Sequence, residues 1–200
     1  MKTVLDNSFP LRGKWRSDFF KNDNPIIIEL GCGKGEYTVE LAKRYPDKNF
    51  IGMDIKGSRI WYGANEVREK ELQNVGFVRT KVDFVDKFFS KDEVDEIWLT
   101  FSDPQPKKPR KRLSSPLFIS RYRNILKSDG IIHMKTDNTL LFEYTMQEIE
   151  EHSYRLHQHS WDIYYGGEQG LKEEVLSIKT HYEQIFMEKG FDIKYCKFSV

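Results

Sequence analysis

Five acidic side chains, Glu29, Asp54, Asp83, Asp103 and Asp137, stand at or just beyond the ends of short apolar runs. One of them, Asp103, is followed within the stretch TFSDPQPKKPRKRL by three prolines and by Lys107, Lys108, Arg110, Lys111 and Arg112. Carboxylates so grouped accept hydrogen bonds from hydroxyls and amines and favour positive charge, whereas the basic run attracts a polyanion. Between the first apolar run and the next helical pattern lies ELGCGKGEY, where Gly31, Gly33 and Gly35 let the backbone turn tightly and approach a ligand. The spacing is G-x-G-x-G, and Glu36 stands where a dinucleotide-binding turn would carry its third glycine. Glu29 and Glu36 would both repel a pyrophosphate held at the helix start, so a cationic ligand suits this turn better.

S-adenosylmethionine has that character, with a positive sulfonium and amino group and no phosphate. Asp54, 19 positions after Gly35, is positioned to accept both hydroxyls of a ribose. An acid there also fits a nicotinamide cofactor, and the acids around the glycines are what discriminate. Asp83 is read as the acceptor for the adenine amine because it lies nearer a strand end, with Asp86 the competing candidate and a helix cap the plain alternative for either.

The elements that must hold these residues alternate. The run Pro25 to Gly31 reads as a strand buried on both faces. Tyr37, Leu41, Ala42 and Tyr45 recur at helical spacing and stop near Pro46. Further strands are expected over 49–55, 75–81, 95–103 and 130–138, with helices over 58–72, 116–126 and up to Glu151. Two closing strands, YRLHQHS and IKYCKFSV, flank a helix near His181 to Glu188, and the glycines of YYGGEQG mark a loop. Such alternation predicts an α/β fold, a doubly wound, mostly parallel Rossmann-like sheet of about seven strands with helices on both faces. Its ligands belong outside the carboxyl ends of the strands, where all five acids fall. One domain is expected, with residues 1–24 as an extension, 25–138 as the cofactor-binding core and 139–200 on the substrate side.

The net charge of +1 conceals an asymmetry: residues 101–123 carry +6 and the other 177 residues −5. A local basic patch on a mildly acidic body predicts a polyanion held at one place. No apolar run reaches the length of a membrane span and no leader pattern opens the chain, so a soluble, cytoplasmic protein is expected. Cys32 and Cys196 lack paired metal spacing, and His133, His152, His157, His159 and His181 suggest no metal geometry, so no metal is expected. Trp61, Tyr62, Trp98 and Phe101 could stack on a base, with core packing the default for each.

The combination of ELGCGKG, FSDPQPKKPRKR, KTDN and THYE, in that order over about residues 25–187, resembles the bacterial tRNA (guanine-N7)-methyltransferase family. The resemblance implies an S-adenosylmethionine site lined by Glu29, the three glycines, Asp54, Asp83 and Asp103. It implies that Asp103 is also catalytic and that the acceptor is N7 of a guanine in the tRNA variable loop. Lys107, Asp137, Thr180 and Glu183 would then face the tRNA, and Lys108, Arg110, Lys111 and Arg112 would reach its phosphates. The chain departs from the family pattern at Gln105, where a tryptophan is common, and in the shortened basic run, which lacks an Arg-His pair. From the residues alone, Thr180-x-x-Glu183 has the form of a helix capping box and TDN that of a strand-end turn. A methyltransferase acting on a protein or small molecule, and a non-catalytic RNA-binding module, are the alternative readings.

Overall fold

The apolar runs become the centre of a sheet in the computed structural model, which describes residues 9–166 and 170–200. Strands β1 (Ile26–Leu30) and β2 (Asn49–Asp54) are buried at every position, as a strand covered on both faces must be. They are joined by β3 (Val75–Arg79), β4 (Val94–Thr100), β5 (Leu126–Thr136), β6 (Arg155–Ser160) and β7 (Lys194–Ser199) into one sheet, in the order β3-β2-β1-β4-β5-β7-β6. β7 runs opposite to the other six strands, so its pairings with β5 and β6 are antiparallel. The chain steps outward from β1 in one direction to β2 and in the other to β4, which opens a crevice at their carboxyl ends.

Helices α1 (Glu36–Arg44), α2 (Gly57–Glu69), α3 (Val85–Phe88), α4 (Pro116–Tyr122), α5 (Thr139–Glu151), α6 (Glu173–Ser177) and α7 (His181–Glu188) cover the two faces. Alternation along β1 assigns the faces: Ile26, Ile28 and Leu30 pack with Phe118 of α4 and Phe142 of α5, whereas Ile27 packs with Tyr37 of α1 and Val175 of α6. The doubly wound, mostly parallel expectation holds.

Beyond shifts in the bounds of β3, β4, α2 and α4 and the short helices α3 and α6, two differences from expectation bear on the core. β5 begins at Leu126 rather than Gly130, because Leu126 already pairs with Val94 before a bulge carries the exposed Ser128 and Asp129 outward. The segment read as an N-terminal extension is built into the core over its described part. Its π-helical turn Trp15–Phe20 buries Trp15 to 2% exposure, and the Trp15 indole donates to the Phe88 carbonyl at 2.9 Å. Glu93 accepts from the amides of Gly13 (2.9 Å) and Trp15 (3.2 Å), pinning that segment beside β4. Of the glycine-marked loop before α6, residues 167–169 lie outside the described residues, as do residues 1–8.

Candidate active site

The glycine turn is fixed from below. The amides of Gly31 and Cys32 donate to the Met53 carbonyl at 2.8 and 3.0 Å, and the Gly33 amide donates to Asp54 Oδ2 at 3.0 Å. Gly35 has φ +77°, and a Cβ on it would come within 2.6 Å of the Phe77 ring, so both conformation and contact demand glycine there. Gly33, at φ +57°, faces open space instead, leaving its backbone accessible to a ligand.

The acids around this turn divide by environment. Glu29 is almost fully buried and accepts from the Thr38 amide (2.9 Å) and from the hydroxyls of Thr38 and Thr100, so it ties the start of α1 to the end of β4. Burial pushes its carboxyl up to about 7, only partly countered by those hydrogen bonds, and the charged neighbour acting on it is another acid, Glu36. Asp54 accepts the Gly33 amide on one oxygen and the Lys56 amide (2.8 Å) on the other, which still leaves lone pairs for further donors. Asp83 sits on a 3₁₀ turn, Val82–Phe84, and pairs with Lys111 Nζ at 3.0 Å, which holds its carboxyl below the usual range. Asp86, its competitor in the sequence, instead faces α4, 3.5 Å from the Arg121 guanidinium.

Asp103 lies just past β4, where the backbone bends through positive φ at Phe101 (48°) and Gln105 (44°). Its Oδ1 accepts the Gln105 amide at 2.9 Å, an Asx turn that leaves the side chain exposed. Beyond β5, Asn138 caps α5 by accepting the Leu141 amide at 2.9 Å, which frees the half-buried Asp137 carboxyl from capping. Burial raises Asp137 above the ordinary carboxylate range.

Asp54, Asp83, Asp103 and Asp137 all line one cleft of about 870 Å³ at the crevice. A smaller chamber of about 210 Å³, lined by Glu29, Gly33 and Thr180, adjoins it, and the two share Gly31, Arg59, Phe101 and Tyr182. A buried acid beside the glycine turn, an Asp with spare lone pairs and an open backbone position suit a ligand carrying hydroxyls and positive charge. The donor set therefore fits S-adenosylmethionine.

The basic run is not an extended arm. It folds back in successive turns, with the amides of Lys108, Lys111 and Arg112 donating to the carbonyls of Gln105, Lys108 and Pro109. Lys108 and Lys111 line the cleft, while Lys107 and Arg110 are exposed outside it. Arg112 corrects the sequence expectation: it is only 4% exposed, its Nε donates to the Pro104 carbonyl at 2.9 Å, and its guanidinium lies 4.4 Å from the centre of the Tyr144 ring. It braces the loop and has no surface left for a phosphate.

Glu183 is a second correction. Thr180 caps α7 by accepting the Glu183 amide at 3.2 Å, but the Glu183 carboxylate turns inward. It is fully buried, 2.7 Å from Lys135 Nζ, and accepts from the Tyr164 hydroxyl at 2.6 Å. Lys135, equally buried on β5, also donates to the carbonyls of Val175 (2.6 Å) and Ile178 (3.1 Å), and burial draws its ammonium down to about 8 against the pull of Glu183. Glu36, read as a ligand-repelling acid, accepts the His181 amide at 2.8 Å and holds the start of α7 over the glycine turn.

Residues 23–196 match a family model described as "Putative methyltransferase". A protein of Bacteroides fragilis named tRNA (guanine-N(7)-)-methyltransferase is 51% identical over 197 residues, covering 98% of this chain and 77% of that protein.

The chain belongs to the tRNA (guanine-N7)-methyltransferase family.

Relatives of the same name from Christiangramia forsetii (47% identical, 98% of this chain and 88% of that protein) and Bacillus cytotoxicus (38%, 95% and 85%) extend the match. Among solved structures, the 16S rRNA methyltransferase KamB superposes with a TM-score of 0.67 at 14% identity, covering 100% of this chain and 96% of that one. A likeness that remote establishes the shared fold alone.

In this family member the acids of the cleft were legible in the sequence, whereas Lys135, Arg59 and the Glu36 to His181 bond were not singled out by it. A signal for Lys135 was present, since a lysine within the apolar run IIHMKT must be paired if that run is a central strand. Trp98 is buried as expected, but Trp61 and Tyr62 are 60% and 55% exposed and do not pack in the core. One amendment concerns the histidines: His152, just past the end of α5, stands with Glu148 and Glu151 of that helix, their ligand atoms within 4.8 Å, but none of the three lines the cleft.

Proposed function

We propose that this chain transfers the methyl group of S-adenosylmethionine to N7 of a guanine in the variable loop of tRNA. The observation that carries the reading is one cleft lined together by Asp54, Asp83, Asp103, Lys108 and Lys111. Donor site and polyanion site are then continuous, which neither a small-molecule acceptor nor a module without turnover requires.

Asp54 would hold the ribose, Asp83 the adenine amine, and the chamber beside Glu29 the cationic methionine end. When bound, S-adenosylmethionine supplies an electrophilic methyl group. Guanine N7 carries a lone pair and no proton, so the protein needs no general base to prepare it. Its task is alignment, which can be worth roughly 7–11 kcal/mol. Asp103 orients the purine and stabilises the positive charge that develops on it, and Asp137 accepts from the guanine N1–H and amine. The base must be splayed out of the folded RNA at a few kcal/mol, which phosphate contacts by Lys107, Lys108, Arg110 and Lys111 offset. The pair between Lys111 and Asp83 has side chains 52% and 35% exposed, and surface pairs of that kind contribute about 0–1 kcal/mol, so either partner exchanges readily for a ligand. Within the single domain, residues 25–138 hold the donor and 139–200 complete the RNA side. No helix among the described residues is long and apolar enough to cross a membrane, and a tRNA substrate assigns the enzyme to the cytoplasm.

Incubation of the protein with labelled S-adenosylmethionine and unmodified tRNA, followed by borohydride reduction and aniline cleavage, tests this reading. Strand scission at a variable-loop guanine is expected, and label incorporation without scission would overturn the N7 assignment.

A further inference from the structure

The first half of α2 carries a feature that neither the cleft nor the core uses. Ile60 (8% exposed) and Gly63 supply the packing of this half-helix, while the consecutive Trp61 and Tyr62 turn to solvent at 60% and 55% exposure. Their rings meet edge to face, with centroids 5.3 Å apart. The ammonium of Lys34, from the glycine turn, lies 5.3 Å from the centre of the Tyr62 ring. The pair is held at a set distance from the cofactor turn, because α2 presses against that turn so closely that a Cβ at Gly63 would meet the Lys34 carbonyl at 2.6 Å.

Exposing two large aromatic side chains forfeits burial that would favour folding, so their placement calls for an occupant. We infer that Trp61, Tyr62 and Lys34 form a stacking platform for an unpaired base of the same tRNA. Charge selects RNA over a protein partner. Lys34, whose ammonium lies over the Tyr62 ring, lines the chamber, and Lys56 and Arg59 at the start of the same helix line the cleft, so the platform adjoins the basic surface already assigned to the substrate. The acids of α2 come later along the helix, and Glu66 is already engaged with Lys43 at 2.5 Å. Because α2 follows β2 and the basic loop follows β4, the two flank the glycine turn that follows β1. An RNA gripped on both sides presents its target base between them. A flat aromatic face accepts any base, so the platform contributes affinity without sequence preference.

The inference rests on the tRNA reading, and its test separates the two. Trp61→Ala is expected to raise KM for tRNA about tenfold while leaving kcat and the Kd for S-adenosylmethionine within about twofold, and Trp61→Phe to retain most of the wild-type KM. Titrating tRNA into the wild type should quench tryptophan emission, and the Trp61→Phe protein should lose the larger part of that quench. An unchanged KM in Trp61→Ala together with an unaltered quench in Trp61→Phe would overturn the platform. So would a change in sedimentation coefficient at unchanged tRNA affinity, which would assign the rings to contact with a second copy. The fluorescence titration needs no turnover: tRNA that quenches Trp61 yet acquires no 7-methylguanosine would sink the functional reading and leave the platform standing.

Discussion

A carboxyl as deeply buried as that of Glu29 ionises at neutral pH only when something offsets its desolvation. Its folded-state value, raised from 4.5 to about 7, means that between those limits the folded chain binds more protons than the unfolded one. Stability contributed by this group is therefore greatest below pH 4.5, falls as pH rises to 7, and is flat above, a span of about 3 kcal/mol. A cation arriving in the chamber favours the ionised form, so S-adenosylmethionine binding should release a proton and tighten about tenfold from pH 6 to pH 8. Calorimetry in buffers of differing ionisation enthalpy measures that proton, and Glu29→Gln should abolish both the release and the pH dependence. Affinity flat across that range in the wild type would remove Glu29 from the cation site. The acid at this position was legible because it ends a buried strand beside glycines. Its hydrogen bonds to Thr38 and Thr100 were not, since they join residues up to 71 positions apart and no local pattern encodes them.

Between the elements, the decisive contact is the buried pair of Lys135 on β5 and Glu183 on α7. Removing one partner of such a pair strands the other charge and costs about 3–5 kcal/mol, far more than a surface pair such as Lys43 with Glu40. Glu183→Gln should therefore lower the melting temperature by on the order of 10 °C. It should also weaken S-adenosylmethionine binding, because Thr180 and Tyr182 wall the chamber. Combining it with Lys135→Met should restore much of the stability, since no lone charge then remains buried. Equal losses in the single and double variants by thermal unfolding would show that the pair does not fasten α7. Helix α7 itself was read from the sequence with its bounds intact, as was the Thr180 cap. What its glutamate faced was not, because a capping box and an inward ion pair share the same four-residue spelling.

Across the whole molecule, Lys108 and Lys111 line the cleft with Lys107 and Arg110 exposed outside it, and this local charge is expected to make tRNA binding salt-dependent. Lys108→Glu with Lys111→Glu should flatten the slope of log affinity against log salt by about two contacts' worth, whereas Arg112→Ala should leave the slope near wild type and destabilise the fold. An Arg112→Ala slope as flat as the lysine double variant's would restore Arg112 to the phosphate contacts. Composition and run lengths were enough to read the α/β sheet and its switch point, because parallel central strands are buried on both faces and must spell continuous apolar runs. The folding back of the basic loop was not legible, because the guanidinium of Arg112 finds the Pro104 carbonyl and the Tyr144 ring only once the loop after β4 has met α5. Asp103 lines the same cleft as Asp54 and Lys108, and the proposed mechanism gives its carboxylate the central part. Single-turnover methylation of tRNA by Asp103→Asn, with both substrates saturating, measures its part most directly. A fall in rate of about 100-fold, with tRNA and S-adenosylmethionine affinities within about threefold of wild type, is the predicted result. A single-turnover rate equal to wild type would contradict it.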